Sequence, residues 1–215
     1  MSYVRTRIKI CGVRTPEIAA VAAECGADMI GLNFVPSSPR FVEPKRAVEL
    51  MFALPPGVTT VGVVRDLSVE AFCDLEETCP CQVFQLHGAE TEETVRACGP
   101  DVIRAVRFDA ETAGADLARW GAIDEVAAIL IDGSEGGDGT ALDWARLAEI
   151  LERLENDKPV LLAGGLTPDN VADAIRAVRP YAVDVASGVE HERGVKDAAL
   201  IRAFCEAVRS ADAGG

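Results

Sequence analysis

Short runs of β-branched and aliphatic residues alternate with longer amphipathic stretches along the whole chain. Arg7-Ile-Lys-Ile-Cys11 has the period of a strand, with Ile8 and Ile10 on one face and Lys9 and Cys11 on the other. The next stretch, 16–25, reads as a helix: Thr15 can cap it, Pro16 suits its first turn, and Gly26 can stop it. The same unit then recurs. Strands are expected at 28–34, 59–64, 81–86, 102–107, 126–132, 159–163 and 182–186, with helices at 44–53, 68–78, 91–98, 113–120, 143–155, 168–178 and 196–209. Strict alternation of strand and helix calls for parallel crossovers, which close most simply into a (β/α)8 TIM barrel forming one α/β domain over 1–215. A doubly wound open sheet shares the alternation. It would carry its glycine-rich phosphate loop after the first strand, where Cys11-Gly-Val-Arg-Thr15 has no G-x-G-x-x-G.

The last two strands break into glycine just before polar turns, at Leu161-Leu-Ala-Gly-Gly-Leu166 and Asp184-Val-Ala-Ser-Gly-Val-Glu190. Gly164 and Gly165 let backbone N–H groups approach an anion closely, and Ser187 with Gly188 offers further donors. Loops in these positions form the usual phosphate cup of a TIM barrel, so a phosphorylated small molecule is the expected ligand.

Alternation also selects the residues that reach the barrel mouth. The isoleucines of the first strand should meet the helices, which turns Lys9 and Cys11 inward. A buried inert thiol is the plain reading of Cys11; at the C-terminal end of a barrel strand, with Lys9 beside it, the thiol can instead serve as a base. Asp184 also faces inward on the neighbouring eighth strand, so a buried Lys9–Asp184 ion pair is expected. Asp132 ends strand six after an apolar approach that would favour its protonated form, although a carboxylate there could equally cap a loop. Gln85 and His87 alternate inward on strand four, His87 as a titrating group or a structural one. Arg40 lies on a proline-stiffened loop, suited to a bidentate carboxylate contact, and His191 falls in a charged surface turn. The glycine-rich loop 133–139 is expected to act as a lid.

Composition narrows the setting. A formal charge of −14 disfavours nucleic acid, and no apolar run reaches the roughly 18 to 20 residues that span a bilayer. The N-terminus shows no signal-peptide stretch, so a cytoplasmic protein is expected, as a monomer or a homodimer. Seven cysteines without a secretory signal do not suggest disulfides, and the spacing of Cys73, Cys79 and Cys81 is not that of a zinc site; no metal is expected. Only four of the 21 basic residues are lysine against 35 acidic ones, a balance that resembles chains of a high-salt cytoplasm but also occurs elsewhere.

Lys9-Ile-Cys-Gly12, Ser38-Pro-Arg40, Val61-Gly-Val63, Gln85-Leu-His-Gly88, Gly136-Gly137, Leu162-Ala-Gly-Gly-Leu166 with Asn170, and Asp184-Val with Ser187-Gly-Val-Glu190 together resemble the phosphoribosylanthranilate isomerases of tryptophan biosynthesis. The resemblance implies an Amadori rearrangement of N-(5-phosphoribosyl)anthranilate without metal or organic cofactor. It implies Asp132 as general acid, Cys11 as general base, Arg40 on the anthranilate carboxylate, Gln85 in substrate binding, and Gly165, Ser187 and Gly188 on the phosphate. Two departures stand out: Asp138 replaces a hydroxyl residue in a strand-six loop that also lacks the family's lysine, and Ala186 stands where serine is common. A different phosphosugar barrel, such as a synthase of the indole-glycerol-phosphate or thiamin-phosphate kind, or a non-catalytic phosphometabolite binder, would share the cup. Bifunctionality with histidine biosynthesis would need a second cup near 85–90, where only Gly88 is available.

Overall fold

A computed structural model describes residues 5–133, 142–154 and 158–214. Eight parallel strands form a closed barrel in sequence order: β1 (Arg7–Cys11), β2 (Met29–Asn33), β3 (Thr59–Val64), β4 (Val83–Leu86), β5 (Val102–Arg107), β6 (Val126–Asp132), β7 (Val160–Ala163) and β8 (Ala182–Val185). They alternate with α1 (Pro16–Glu24), α2 (Pro44–Ala53), α3 (Val69–Thr78), α4 (Glu92–Ala97), α5 (Ala113–Gly121), α6 (Trp144–Arg153), α7 (Val171–Val178) and α8 (Ala198–Ala213). A two-stranded antiparallel ribbon, β9 (Glu190–Glu192) with β10 (Val195–Lys196), separates β8 from α8.

The helix starts follow from local chemistry. Thr15, Ser68, Thr91, Asp143 and Asp197 each accept a hydrogen bond from a first-turn N–H, satisfying donors the helix itself leaves unpaired. Gly26, at φ +82°, ends α1 as expected. Two helix starts move by two residues or more from their expected places. The helix expected from residue 168 begins at Val171, because the Asn170 side chain ties up the preceding turn: Oδ1 accepts from Thr167 N–H at 2.8 Å and Nδ2 donates to the Gly165 carbonyl at 2.9 Å. The last helix begins at Ala198 rather than residue 196, because Val195 and Lys196 pair back onto 190–192 and Asp197 supplies the cap.

Period-two alternation divides the core into two layers. Ile8, Ile10, Ile30, Leu32, Phe84, Leu86, Ile129, Ile131, Leu162 and Val185 pack outward against the helices in one large cluster. Met29, Val61, Ile103, Ala105, Ala128, Leu130, Leu161, Ala163 and Ala182 form a second cluster that fills the barrel interior. A charged group entering that interior must be paired. Lys9, fully buried, meets Asp184 at 2.9 Å across the β1–β8 seam, where the two residues are register partners, as the alternation anticipated.

Removing one member of this pair strands a buried charge. Asp184→Asn is expected to lower unfolding free energy by about 3 kcal/mol in urea denaturation, and Lys9→Met with Asp184→Leu to recover part of that loss. A single variant as stable as the parent would show that the seam does not depend on the pair.

Candidate active site

The C-terminal ends of β1, β4, β6, β7 and β8 converge on one mouth. Cys11 closes β1 with 8% of its surface exposed, and its Sγ occupies space left by Gly31 on β2: a Cβ on Gly31 would lie 2.9 Å from that sulfur. Burial pushes the Cys11 thiol above its ordinary range and Asp184 adds to this, while the Lys9 and Lys196 ammonium groups pull it back without cancelling the effect. The thiol thus sits between desolvation that keeps its proton on and cations that favour losing it.

Asp132 ends β6, about one-fifth exposed, with Oδ2 3.4 Å from His87 Nε2. Gly164, at φ +93°, allows this end of the sheet to close: a Cβ there would strike Gly133 N at 2.3 Å and Asp132 Oδ1 at 2.9 Å. His87 Nδ1 lies 2.7 Å from the Gln85 amide nitrogen, so Gln85, His87 and Asp132 form a chain of polar contacts across β4 to β6. Gln85 does face inward, at 1% exposure, and the contact of its amide is with His87. The role of His87 as a neighbour of the carboxylate was not legible from its own strand, because the partner lies on β6. His191 is exposed as expected, but on the strand β9 rather than in a turn.

The phosphate-cup residues come together. Gly165, at φ +67°, is open to solvent, and a Cβ added to it would meet nothing within 4 Å. Ser187–Val189 forms a 3-10 turn after β8, and Gly188 packs so tightly on the β7 loop that a Cβ would fall 1.8 Å from the Leu166 carbonyl oxygen. Only glycine lets the two loops meet there. The corresponding donors at the half-barrel position are already used: Asp66 N–H donates to Glu90 Oε1 at 2.9 Å and Gly88 N–H to Glu90 Oε2 at 2.9 Å, and Arg104 anchors Glu90 from behind at 2.7 Å. A carboxylate of the chain's own thus occupies these backbone donors.

Arg40 reaches the mouth on the loop after β2, its N–H tied to Ser38 Oγ at 3.1 Å. Its stem lies against Gly12, whose φ of +78° and missing Cβ make room: a Cβ would meet Arg40 Cδ at 2.5 Å. The guanidinium is not the unengaged clamp expected of a loop arginine. Its Nε and Nη2 donate to Glu190 Oε1 and Oε2 at 2.7 and 2.8 Å. Glu190 also accepts from Lys196 Nζ at 2.8 Å and Gly194 N–H at 3.1 Å; despite burial, these donors hold its carboxyl down to about 2. Lys196 in turn donates to the Ala186 carbonyl at 2.7 Å, so the alanine position contributes through its backbone. Glu190 and Lys196 were missed as site residues because their ribbon is short and shows no periodicity of its own.

The remaining cysteines supply no evident chemistry. All seven are free, Cys79 and Cys81 have sulfurs 4.0 Å apart in the outer core, and Cys73 is exposed. Among the described residues no group of three or more His, Cys, Asp or Glu is arranged to hold a metal ion, and no helix is long and apolar enough to cross a membrane. The lid expected over 133–139 and the departure at Asp138 lie, from residue 134 onward, outside the described residues.

Comparison with known proteins agrees with this arrangement. A family model described as N-(5'phosphoribosyl)anthranilate (PRA) isomerase matches residues 8–207. The N-(5'-phosphoribosyl)anthranilate isomerase of Leptothrix cholodnii is 45% identical over 99% of this chain and 95% of its own. The crystal structure of phosphoribosyl anthranilate isomerase from Thermotoga maritima superposes with a TM-score of 0.85 at 37% identity, covering 95% of this chain and 99% of that one. A phosphoribosyl anthranilate isomerase solved in complex with reduced 1-(o-carboxyphenylamino)-1-deoxyribulose 5-phosphate superposes with a TM-score of 0.82 at 35% identity, over 95% of this chain and 99% of that one. With the family model matching most of its length and the barrel and full-length similarity in agreement, the chain belongs to the N-(5'-phosphoribosyl)anthranilate isomerase family.

Proposed function

We propose that the chain isomerises N-(5'-phosphoribosyl)anthranilate to 1-(o-carboxyphenylamino)-1-deoxyribulose 5-phosphate, an intramolecular redox step of tryptophan biosynthesis. The observation that carries the reading is the placement of a thiol and a carboxyl group on β1 and β6, at the same barrel mouth as the Gly165 and Ser187–Gly188 loops. The phosphate occupies that cup and fixes the ribose over the mouth. Asp132 gives a proton to the ring oxygen, the C1′–O bond breaks, and the nitrogen lone pair forms an iminium at C1′. Cys11 as thiolate removes the C2′ proton, and the electron pair moves into the iminium to give an enolamine, which becomes the ketone when a proton is added at C1′ and the 2′-hydroxyl gives up its own. Carbon C1′ is reduced and C2′ oxidised within one molecule. The iminium is itself the electron sink, so the chemistry requires no added metal or organic cofactor.

The electrostatics around the thiol suit its task. Lys9 and Lys196 favour the thiolate against the burial that opposes it, and an iminium arriving beside the sulfur adds a third cation. Arg40 is placed to hold the anthranilate carboxylate. Gln85 acts on the substrate side through His87, whose ring bridges it to Asp132. A cytoplasmic setting, with high salt screening the acidic surface, is the corresponding reading of the composition.

Three outcomes are expected. Protein mixed with fresh phosphoribosylanthranilate should consume the substrate's fluorescence without added metal, and Cys11→Ala and Asp132→Asn should each lower kcat/KM by roughly 10²-fold or more; near-parental rates in both variants would remove their proposed roles. Arg40→Ala should act mainly on KM. In site-resolved alkylation by iodoacetamide, the rate at Cys11 should still be climbing at a pH where that of free cysteine in solution has levelled off, because the buried thiol loses its proton later. Coincident pH curves would contradict that picture.

A further inference from the structure

A guanidinium can grip a carboxylate in two ways: along the side edge made by Nε and one Nη, or along the end edge made by both Nη groups. In Arg40 the side edge is taken. Nε and Nη2 both donate to Glu190, whose side chain is only 3% exposed. Glu190 has no freedom to follow a moving arginine, because Lys196 Nζ and Gly194 N–H hold it and Lys196 is itself pinned to the Ala186 carbonyl. At the other end, the Arg40 stem lies on Gly12, the residue after Cys11. With stem and side edge both fixed, the guanidinium has one defined plane, and its end edge is the one it can offer a ligand.

We infer that Glu190, braced by Lys196, is a positioning residue that sets specificity for the substrate's carboxylate by locking Arg40 so that it receives that group end-on. The inference rests on the proposed function. Fixing the guanidinium before binding removes an ordering cost that a mobile loop arginine would bring to each binding event. The lock has an electrostatic cost, since Glu190 is a carboxylate facing the same cation that must attract another. Lys196 offsets it: with its ammonium charged, the trio of Arg40, Glu190 and Lys196 keeps one net positive charge. Burial works against the charge on Lys196 and Glu190 supports it, so each member of the trio depends on the other two.

Orientation and simple charge give opposite signs for Glu190→Gln. If attraction alone mattered, deleting the negative charge would tighten binding of a carboxylate; if the lock matters, binding of a carboxylate weakens. The probes are the reduced product analogue, which carries the o-carboxyl group, and its counterpart made from aniline, which lacks it, each titrated by calorimetry. The parent protein should prefer the carboxylated analogue. Glu190→Gln should weaken that analogue roughly tenfold, the size of one lost charge-assisted contact, and leave the aniline counterpart within about twofold. In turnover, KM should rise by more than kcat falls. Equal losses for both analogues would make Glu190 a purely structural residue and overturn the inference, as would unchanged or tighter binding of the carboxylated analogue. Should Glu190→Gln not fold, Glu190→Asp, which keeps the charge but shortens the reach to Arg40, decides with the same expected selectivity loss and the same overturning outcomes. A parent protein that turns over phosphoribosylanthranilate yet shows no preference between analogues would refute the carboxylate role of Arg40 and Glu190 together. A parent without turnover that still prefers the carboxylated analogue would instead refute the proposed reaction.

Discussion

Closure of the sheet by β8 against β1 is the constraint on which the rest depends. It places Lys9 and Asp184 opposite each other inside a barrel otherwise filled by aliphatic side chains. Neither charge could stay ionised there alone, since a buried unpaired ion costs more than most other single contacts contribute. Together they close the barrel and leave a lysine directly below the sulfur at the end of the same strand. The pair therefore supports the fold and the chemistry at once, and any change to it would be felt in both.

The same rule operates higher in the mouth with more members. Arg40, Glu190 and Lys196 come from the loop after β2 and from the ribbon after β8, and none is fully solvated. What differs from the Lys9–Asp184 pair is the odd number of charges. A balanced pair neutralises itself, whereas a trio with two cations retains a charge that a ligand can meet. Glycine makes this possible mechanically: Gly12 yields space to Arg40, and Gly194 yields space to the Pro39 carbonyl, so the two loops can interlock.

Much of this was legible in the sequence because strand alternation is a local property. Ile8 and Ile10 outward and Lys9 and Cys11 inward follow from period two alone, and the same logic reached Gln85, Asp132 and Asp184. The glycines of the cup announced themselves by type and position. Pairings between distant segments could not be read that way. Arg40 and Glu190 stand 150 positions apart, and nothing in either segment signals the other. Only Lys196 of the β9–β10 ribbon fell within the expected last helix, and the ribbon itself went unread because two or three residues per strand are too few to show a period. His87 was recognised as a titratable group, but its meeting with Asp132 needed the barrel's curvature to bring β4 and β6 toward a common point.

The two proposed proton-transfer groups enter the mouth from β1 and β6 with different surroundings. Cys11 has Lys9, Lys196 and Arg40 within electrostatic reach, all of which stabilise the form without a proton. Asp132 meets the His87 imidazole and lies beside the tight Gly133–Gly164 backbone. If the thiol had no cation near it, burial would hold its proton too firmly for it to act as a base. Burial of the thiol therefore serves a purpose despite its cost in acidity. A sulfur with little solvent around it keeps its cations effective, because their attraction is screened less than it would be in water.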